Sequence, residues 1–196
     1  MAYQRKDAFY ARAKAEGYRS RASYKLLDLA RRYQLFKRGD HVVDLGAWPG
    51  GWLQVAAELV GPRGVVVGVD LVPIDPLPQA WVSTLVGDAS EPAVLEQLRE
   101  RCGGRVDVVL SDMSPKLSGI RDRDAARSEG LAEAAVGIAE QLVAPGGRMV
   151  MKVFSGAESE ALRLARRVFT AAKLTKPESS RRESAEMYLV ATGRRA

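Results

Sequence analysis

A chain of 196 residues, 46% hydrophobic and 28% charged, lies within the range of one globular domain and can bury a core of its own. It contains no run of 18 or more apolar residues, and its opening MAYQRKDAFYARAK lacks the apolar stretch of a secretory signal, so no membrane partner and a cytoplasmic location are expected. The single cysteine, Cys102, forms no internal disulfide, and with His41 the only histidine no metal site is expected.

The net charge of +6 is unevenly placed. Residues 1–38 hold 11 Lys and Arg against 3 acids, whereas the remaining 158 residues hold 19 against 21. The N-terminal segment is therefore a candidate polyanion-binding surface, with a solvated helix face as the plainer alternative. From Arg5 to Phe36 the pattern is helical, with Ser20 or Ser23 available as an N-cap. Beyond Asp40, strand-like and helical runs alternate: HVVDLG, a helix through Leu53 to Leu59, VVVGVD, VSTLV, a helix from Glu91 to Arg101, then VDVVLSD. The second half continues with a polar loop, a helix from about Ser128 to Leu142, the strand RMVMKVF, a helix from Glu158 to Ala172, and short strands near Leu174 and over Met187 to Ala191. Seven β-rich runs without polar alternation, interleaved with helices, predict a doubly wound α/β domain with a mainly parallel sheet covered on both faces.

In such a sheet ligands bind beyond the carboxyl ends of the strands, which directs attention to the loop after the first one. It reads Asp44-Leu-Gly46-Ala-Trp48-Pro49-Gly50-Gly51-Trp52. Its G-x-x-x-G-G spacing departs from the dinucleotide fingerprint and suits a nucleoside without a pyrophosphate, although a glycine loop alone is also a tight turn. Asp70 closes the second strand, where a carboxylate can accept from ribose hydroxyls; that contact would serve NAD as well as S-adenosylmethionine. Asp88, followed by Ala89, closes the third, where it could accept from an adenine amino group or act as an acid ahead of the next helix. The fourth strand ends in Ser111-Asp112, and the fifth carries Lys152 inside the apolar run Met149–Phe154. A buried ammonium needs a partner, and Asp112 is the candidate, either as a structural ion pair or as part of a site. Strands four and five are expected to flank the first, which would bring both residues to the ligand.

Taken together, Gly17-Tyr-Arg-Ser-Arg-Ala-Ser-Tyr-Lys25, the D-L-G-A-W-P-G-G-W loop, Asp70-Leu-Val-Pro-Ile-Asp-Pro76, Ser111-Asp-Met-Ser-Pro115, Ala144-Pro-Gly-Gly147, Lys152-Val-Phe154 and Ser179-Ser-Arg-Arg-Glu-Ser-Ala-Glu-Met-Tyr188 form an ordered set over nearly the whole chain. By this set the sequence resembles the FtsJ/RrmJ family of RNA ribose 2′-O-methyltransferases, and within it the bacterial enzymes of large-subunit ribosomal RNA. The resemblance implies a single Rossmann-like, S-adenosylmethionine-dependent methyltransferase domain over 39–196, with 1–38 as a basic helical extension packed on it and binding RNA. It implies a Lys-Asp-Lys-Glu tetrad at Lys25, Asp112, Lys152 and Glu186, and it alone selects Glu186 over Glu183. Donor contacts are expected from Asp44, Gly46, Pro49, Gly50, Gly51, Trp52, Asp70, Asp88, Ala89 and Asp112, with S-adenosylhomocysteine as product. Trp48 departs from the family, whose members usually carry a small residue there, and is expected to pack beside the loop rather than line the pocket.

On this reading the acceptor is a ribose hydroxyl of ribosomal RNA, on the large subunit, and a monomer suffices. Lys152 is the candidate base; it acts only when neutral, a form favoured by the sulfonium and Lys25 and opposed by Asp112 and Glu186. Lys25 and Glu186 would orient the hydroxyl. Phosphate contacts are expected from Arg5, Lys6, Arg12, Lys14, Arg19, Arg21, Arg31, Arg32, Lys37 and Arg38, with Arg181 and Arg182 near the last strand. Tyr3, Phe9, Tyr10 and Tyr18 could stack on bases or pack inward. Transfer RNA as substrate and a non-catalytic ribosome assembly factor are the alternatives; a small-molecule methyltransferase would not need the basic arm.

Overall fold

The computed structural model describes residues 8–104, 106–115, 118–180 and 186–196, so Tyr3, Arg5, Lys6, Arg181, Arg182 and Glu183, and the side chains of Phe9 and Tyr10, lie outside the described residues. Two helices, α1 (Ala8–Ala15) and α2 (Ser23–Tyr33), precede the first strand. There follow β1 (His41–Leu45), α3 (Gly51–Val60), β2 (Val65–Asp70), β3 (Val82–Val86), α4 (Pro92–Arg101), β4 (Val106–Ser111), α5 (Arg121–Leu142), β5 (Val143–Val153), α6 (Glu158–Val168), β6 (Phe169–Thr175) and β7 (Met187–Arg194). Among the described residues no helix is long and apolar enough to cross a membrane.

The seven strands form one sheet in the order β3-β2-β1-β4-β5-β7-β6. β1 to β5 run parallel, and β7 is antiparallel to both β5 and β6. The neighbours of β1 are β2 and β4, and β5 stands one strand further out. This corrects the expected placement of the fifth strand beside the first. Asp112 and Lys152 are still brought together, because Ser111 pairs with Met151 and each functional residue is the next one along.

Adjacent residues of each central strand serve opposite faces. Val43, Val67, Val109 and Met149 pack against α4, α5 and α6, while Val42, Val66, Val108 and Val150 pack against α2 and α3. Double-sided burial is why the strands read as continuous Val and Leu runs. Side chains from α2, Leu26 and Leu29, are fully buried in the second layer, so that helix is part of the core.

Several boundaries differ from the sequence expectation: β5 begins at Val143, five residues before Arg148, and β7 runs on past Ala191 to Arg194. α5 starts at Arg121, two turns before Ser128, because its charged opening RDRDAARS carries no apolar stripe to mark it. α6 stops at Val168, and Phe169–Thr175 forms an edge strand on β7; pairing with β7 overrides the helix propensity of Ala171 and Ala172. α2 begins at Ser23 with Ala22 at the N-cap and no side-chain cap; the Ser23 hydroxyl donates instead to the Gly51 carbonyl at 3.0 Å.

One buried ion pair closes the sheet's entry side. Arg148 of β5 donates to Asp40 Oδ2 at 2.9 Å and to the Leu35 carbonyl at 2.8 Å, and the same Asp40 oxygen accepts the Lys37 N–H at 2.7 Å. The end of α2, the start of β1 and β5 thus share one carboxylate. Replacing Asp40 with Ala leaves the buried guanidinium uncompensated, and urea titration is expected to show a loss of about 3–5 kcal/mol.

Candidate functional site

The site lies beyond the carboxyl ends of β1, β2, β4 and β5, and is closed on one side by the turn that leads into α2. That turn docks on the glycine loop. Arg19 donates to three carbonyls, Pro49 at 3.2 Å, Asp75 at 2.6 Å and Pro76 at 2.8 Å, while its own N–H bonds Gln54 Oε1 at 2.8 Å. A Cβ on Gly51 would collide with Ser20 Oγ and come within 2.8 Å of Ser23 Oγ; one on Gly50, whose φ is +105°, would meet the Arg19 guanidinium at 2.8 Å. The two glycines therefore make room for the N-terminal segment, a role their spacing did not disclose. Trp52 completes the joint: its indole N–H bonds the Ala22 carbonyl at 2.9 Å and its ring lies 6.0 Å from that of Tyr188.

Two lysine–carboxylate pairs stand next to this joint. Lys152 Nζ lies 2.9 Å from Asp112 Oδ1 and donates to the Asp112 carbonyl at 2.7 Å. Lys25 Nζ lies 2.5 Å from Glu186 Oε2 and 5.5 Å from the centre of the Tyr188 ring. Tyr188 pairs with Lys152 across β5 and β7, so the strand register brings the two pairs together. Burial pushes the Asp112 carboxyl above its usual range, opposed by the charges of Lys152 and Lys25 and reinforced by that of Glu186, so the other three residues all act on Asp112. Both lysines are nearly buried, whereas Asp112 and Glu186 are partly open to solvent, with side-chain exposures of 24% and 29%. Tyr188, absent from the sequence-derived set, has a fully buried hydroxyl without a hydrogen-bond partner among the described residues, and burial drives its phenol upward.

Beside the tetrad are two adjoining cavities that share Gly46. The larger, about 250 Å³, is lined by Asp70, Asp88 and Ala89, with Met113 and Leu131 as apolar walls that the sequence did not single out. The smaller, about 110 Å³, is lined by Asp44, Pro49, Gly51, Trp52 and Asp112. Gly50 lines neither. The Asp70 carboxylate already accepts the N–H groups of Val72 at 3.0 Å and Trp48 at 2.9 Å, which fixes both loops and leaves further lone pairs for a ligand. Asp88 Oδ1 accepts from the N–H and hydroxyl of Ser90, which hold its carboxyl below the usual range. The Trp48 side chain is 57% exposed, which corrects the expectation that it packs beside the loop.

Asp44 is the exceptional member. It is fully buried, and among the described residues neither carboxylate oxygen has a hydrogen-bond partner. Burial, together with the neighbouring Asp112 and Asp70 charges, pushes its carboxyl well above the usual range. A buried acid surrounded by acids and facing a cavity suits a cationic ligand, and the amino-acid end of S-adenosylmethionine carries both an ammonium and a sulfonium.

A family model described as FtsJ-like methyltransferase matches residues 18–194. Among similar proteins, a ribosomal RNA large subunit methyltransferase E of Halorubrum lacusprofundi is 50% identical over 190 residues, 96% of this chain and 71% of that one. Its namesake in Methanobrevibacter smithii is 47% identical over 185 residues, covering 94% and 88%. A crystal structure of a ribosomal RNA methyltransferase from Plasmodium falciparum superposes with a TM-score of 0.78 at 28% identity, covering 90% of this chain and 98% of the other. Fibrillarin from Aeropyrum pernix with bound S-adenosylmethionine gives 0.62 at 19% identity, covering 89% and 75%, and shares the fold.

The Asp44 geometry yields an opposed pair of effects. A native carboxyl raised above its unfolded value of about 4 withdraws stability as the pH climbs from there through the native value. Without ligand, Asp44→Asn is therefore expected to melt higher than the wild type near neutral pH and to lose that part of the decline. The same variant is expected to bind S-adenosylmethionine at least about tenfold more weakly in calorimetry, for loss of one charge-assisted contact. Wild-type affinity in the variant would take Asp44 out of the donor site.

Proposed function

The chain belongs to the FtsJ-like methyltransferase family, and from that membership we propose that it transfers a methyl group from S-adenosylmethionine to a ribose 2′-hydroxyl of RNA, on a uridine of the large ribosomal subunit. The observation that carries the reading is the meeting of the Lys152–Asp112 and Lys25–Glu186 pairs beside cavities lined by the further acids Asp44, Asp70 and Asp88. The protein works as a cytoplasmic monomer on this reading, with residues 1–38 as its basic RNA-binding extension and 39–196 as its catalytic domain.

S-adenosylmethionine supplies an electrophilic methyl group on a sulfonium, so the chain's own tasks are to place the hydroxyl in line and to remove its proton. Asp70 and Asp88 would hold the nucleoside in the larger cavity, and Asp44 and Asp112 the cationic end in the smaller. Lys152 is the base. It acts as the neutral amine, whose lone pair takes the hydroxyl proton, and its N–H donation to the Asp112 carbonyl together with the adjacent Asp112 carboxylate fixes Nζ in place. Lys25 orients the hydroxyl by donating to its oxygen, which leaves the one hydroxyl proton for Lys152; Glu186 holds Lys25, and the Tyr188 ring beneath keeps that ammonium from swinging away.

The basic segment divides by use. Arg19 is spent on carbonyls, Arg12 on Glu16, Arg32 on Asp28 and the Lys176 carbonyl, and Arg38 on the Glu58 carbonyl, while Tyr18 bonds Glu58 through its hydroxyl. Lys14, Arg31 and Lys37 are exposed and are assigned to RNA phosphates. Replacing Lys14 and Arg31 with Gln is expected to lower the slope of log affinity for RNA against log salt by about 1–2, with donor affinity unchanged. An unchanged slope would remove these two from the interface.

For the chemistry, Lys152→Ala and Lys152→Met are compared with wild type in tritiated methyl transfer to large ribosomal subunits from a strain lacking this protein. A loss of about 10²–10⁴-fold in rate, with S-adenosylmethionine binding retained, is expected of a missing base. Transfer at the wild-type rate by either variant would overturn the assignment.

A further inference from the structure

The three tryptophans are used in different ways. Trp52 is 3% exposed and its indole N–H bonds the Ala22 carbonyl; Trp81 is half-buried and bonds the Ala57 carbonyl at 3.2 Å. Trp48 makes no indole hydrogen bond and no ring contact among the described residues, yet its backbone is held by Asp70 Oδ2 at 2.9 Å. The other oxygen of that carboxylate holds Val72, so the exposed side chains of Trp48, Leu71 and Val72 are gathered by one anchor into an apolar rim. A large aromatic fixed at its backbone and bare at its ring is a surface prepared for a partner.

The position of the ring decides which partner. Trp48 lines the smaller cavity, with Asp44 and Asp112, while Asp70, which holds its backbone, lines the larger one with Asp88 and Ala89. Its ring therefore stands exposed at the mouth of the smaller cavity, on the side of Asp112 and the reacting end of the donor, where the acceptor must arrive. We propose that Trp48 is a stacking platform for an unpaired base of the RNA at or next to the ribose being methylated. The indole presents a rigid π-face that accepts any base, so it positions the strand over Asp112 and Lys152 while leaving sequence choice to other contacts. This inference rests on the RNA-methylating reading above.

Trp48→Ala and Trp48→Phe separate the possibilities, since an exposed ring can be removed with little effect on folding. With large ribosomal subunits as substrate, Trp48→Ala is expected to raise KM for the RNA about 10- to 100-fold, with kcat changed far less and S-adenosylmethionine affinity within about twofold in calorimetry. Trp48→Phe should recover most of the loss. Quenching of tryptophan fluorescence by RNA, present in wild type, should largely vanish in both. A weaker affinity for S-adenosylmethionine with unchanged KM for RNA would assign the ring to the donor and overturn the proposal; no change in either would make it a bystander. Wild-type protein that transfers no methyl group to RNA would remove the parent reading and this inference with it, whereas active wild type beside an equally active Trp48→Ala defeats the inference alone.

Discussion

The contact on which the site depends is that between Ser23 and Gly51, where a hydroxyl meets a backbone with no room for a side chain between them. Ser23 opens α2, so this contact sets the height of that helix above the sheet, and Lys25 follows two residues later. Arg19 closes the same joint from the other side by bridging the carbonyls of Pro49, Asp75 and Pro76. The glycine loop thus does two things at once: one side lines the small cavity and the other seats the element that delivers a lysine. A tertiary contact of this kind locks Lys25, proposed to orient the acceptor, more tightly than a loop could, because the helix is itself buried through Leu26 and Leu29.

The second constraint is topological. Parallel strands alone would present only the residues at their carboxyl ends, Asp44, Asp70, Asp112 and Lys152. Inserting β7 antiparallel between β5 and β6 brings the beginning of a strand to the same edge, and with it Glu186 and Tyr188. The tetrad therefore combines three sources: a helix before the sheet, two parallel strand ends and one antiparallel strand start. Each charged group arrives on a rigid element, which is what proton transfer over hydrogen-bond distances requires.

This composite origin explains what the sequence disclosed and what it hid. The central strands were legible because burial on both faces leaves uninterrupted Val and Leu runs, and Asp112 and Lys152 were legible because a charge inside such a run demands a partner. Glu186 had no such signature; among Glu183 and Glu186 only the family pattern chose. The first turns of α5 were hidden by their charge, and β6 by alanines that favour a helix until β7 pairs with them. Gly50 and Gly51 were legible as glycines but not in purpose, since the side chains they make room for lie about 30 positions earlier in sequence. Trp48 was misjudged because an aromatic beside a loop is read as packing, and exposure is a property of the fold rather than of the residue.

The electrostatic plan gives the reaction a direction. Lys25 and Lys152 are each matched by one carboxylate, and the further acids around the cavities, Asp44, Asp70 and Asp88, have no lysine or arginine partner among the described residues; burial pushes Asp44 toward its neutral form. Such a site is strained in the absence of a cation and relieved by a methyl donor that carries a sulfonium and an ammonium. Methyl transfer turns the sulfonium into a neutral thioether, so the same carboxylates hold the product with one charge fewer. On the proposed assignment, the acids that favour binding of the donor also favour its exchange after reaction, and the fold meets the standing cost of Asp44 through a core buried on both faces of the sheet.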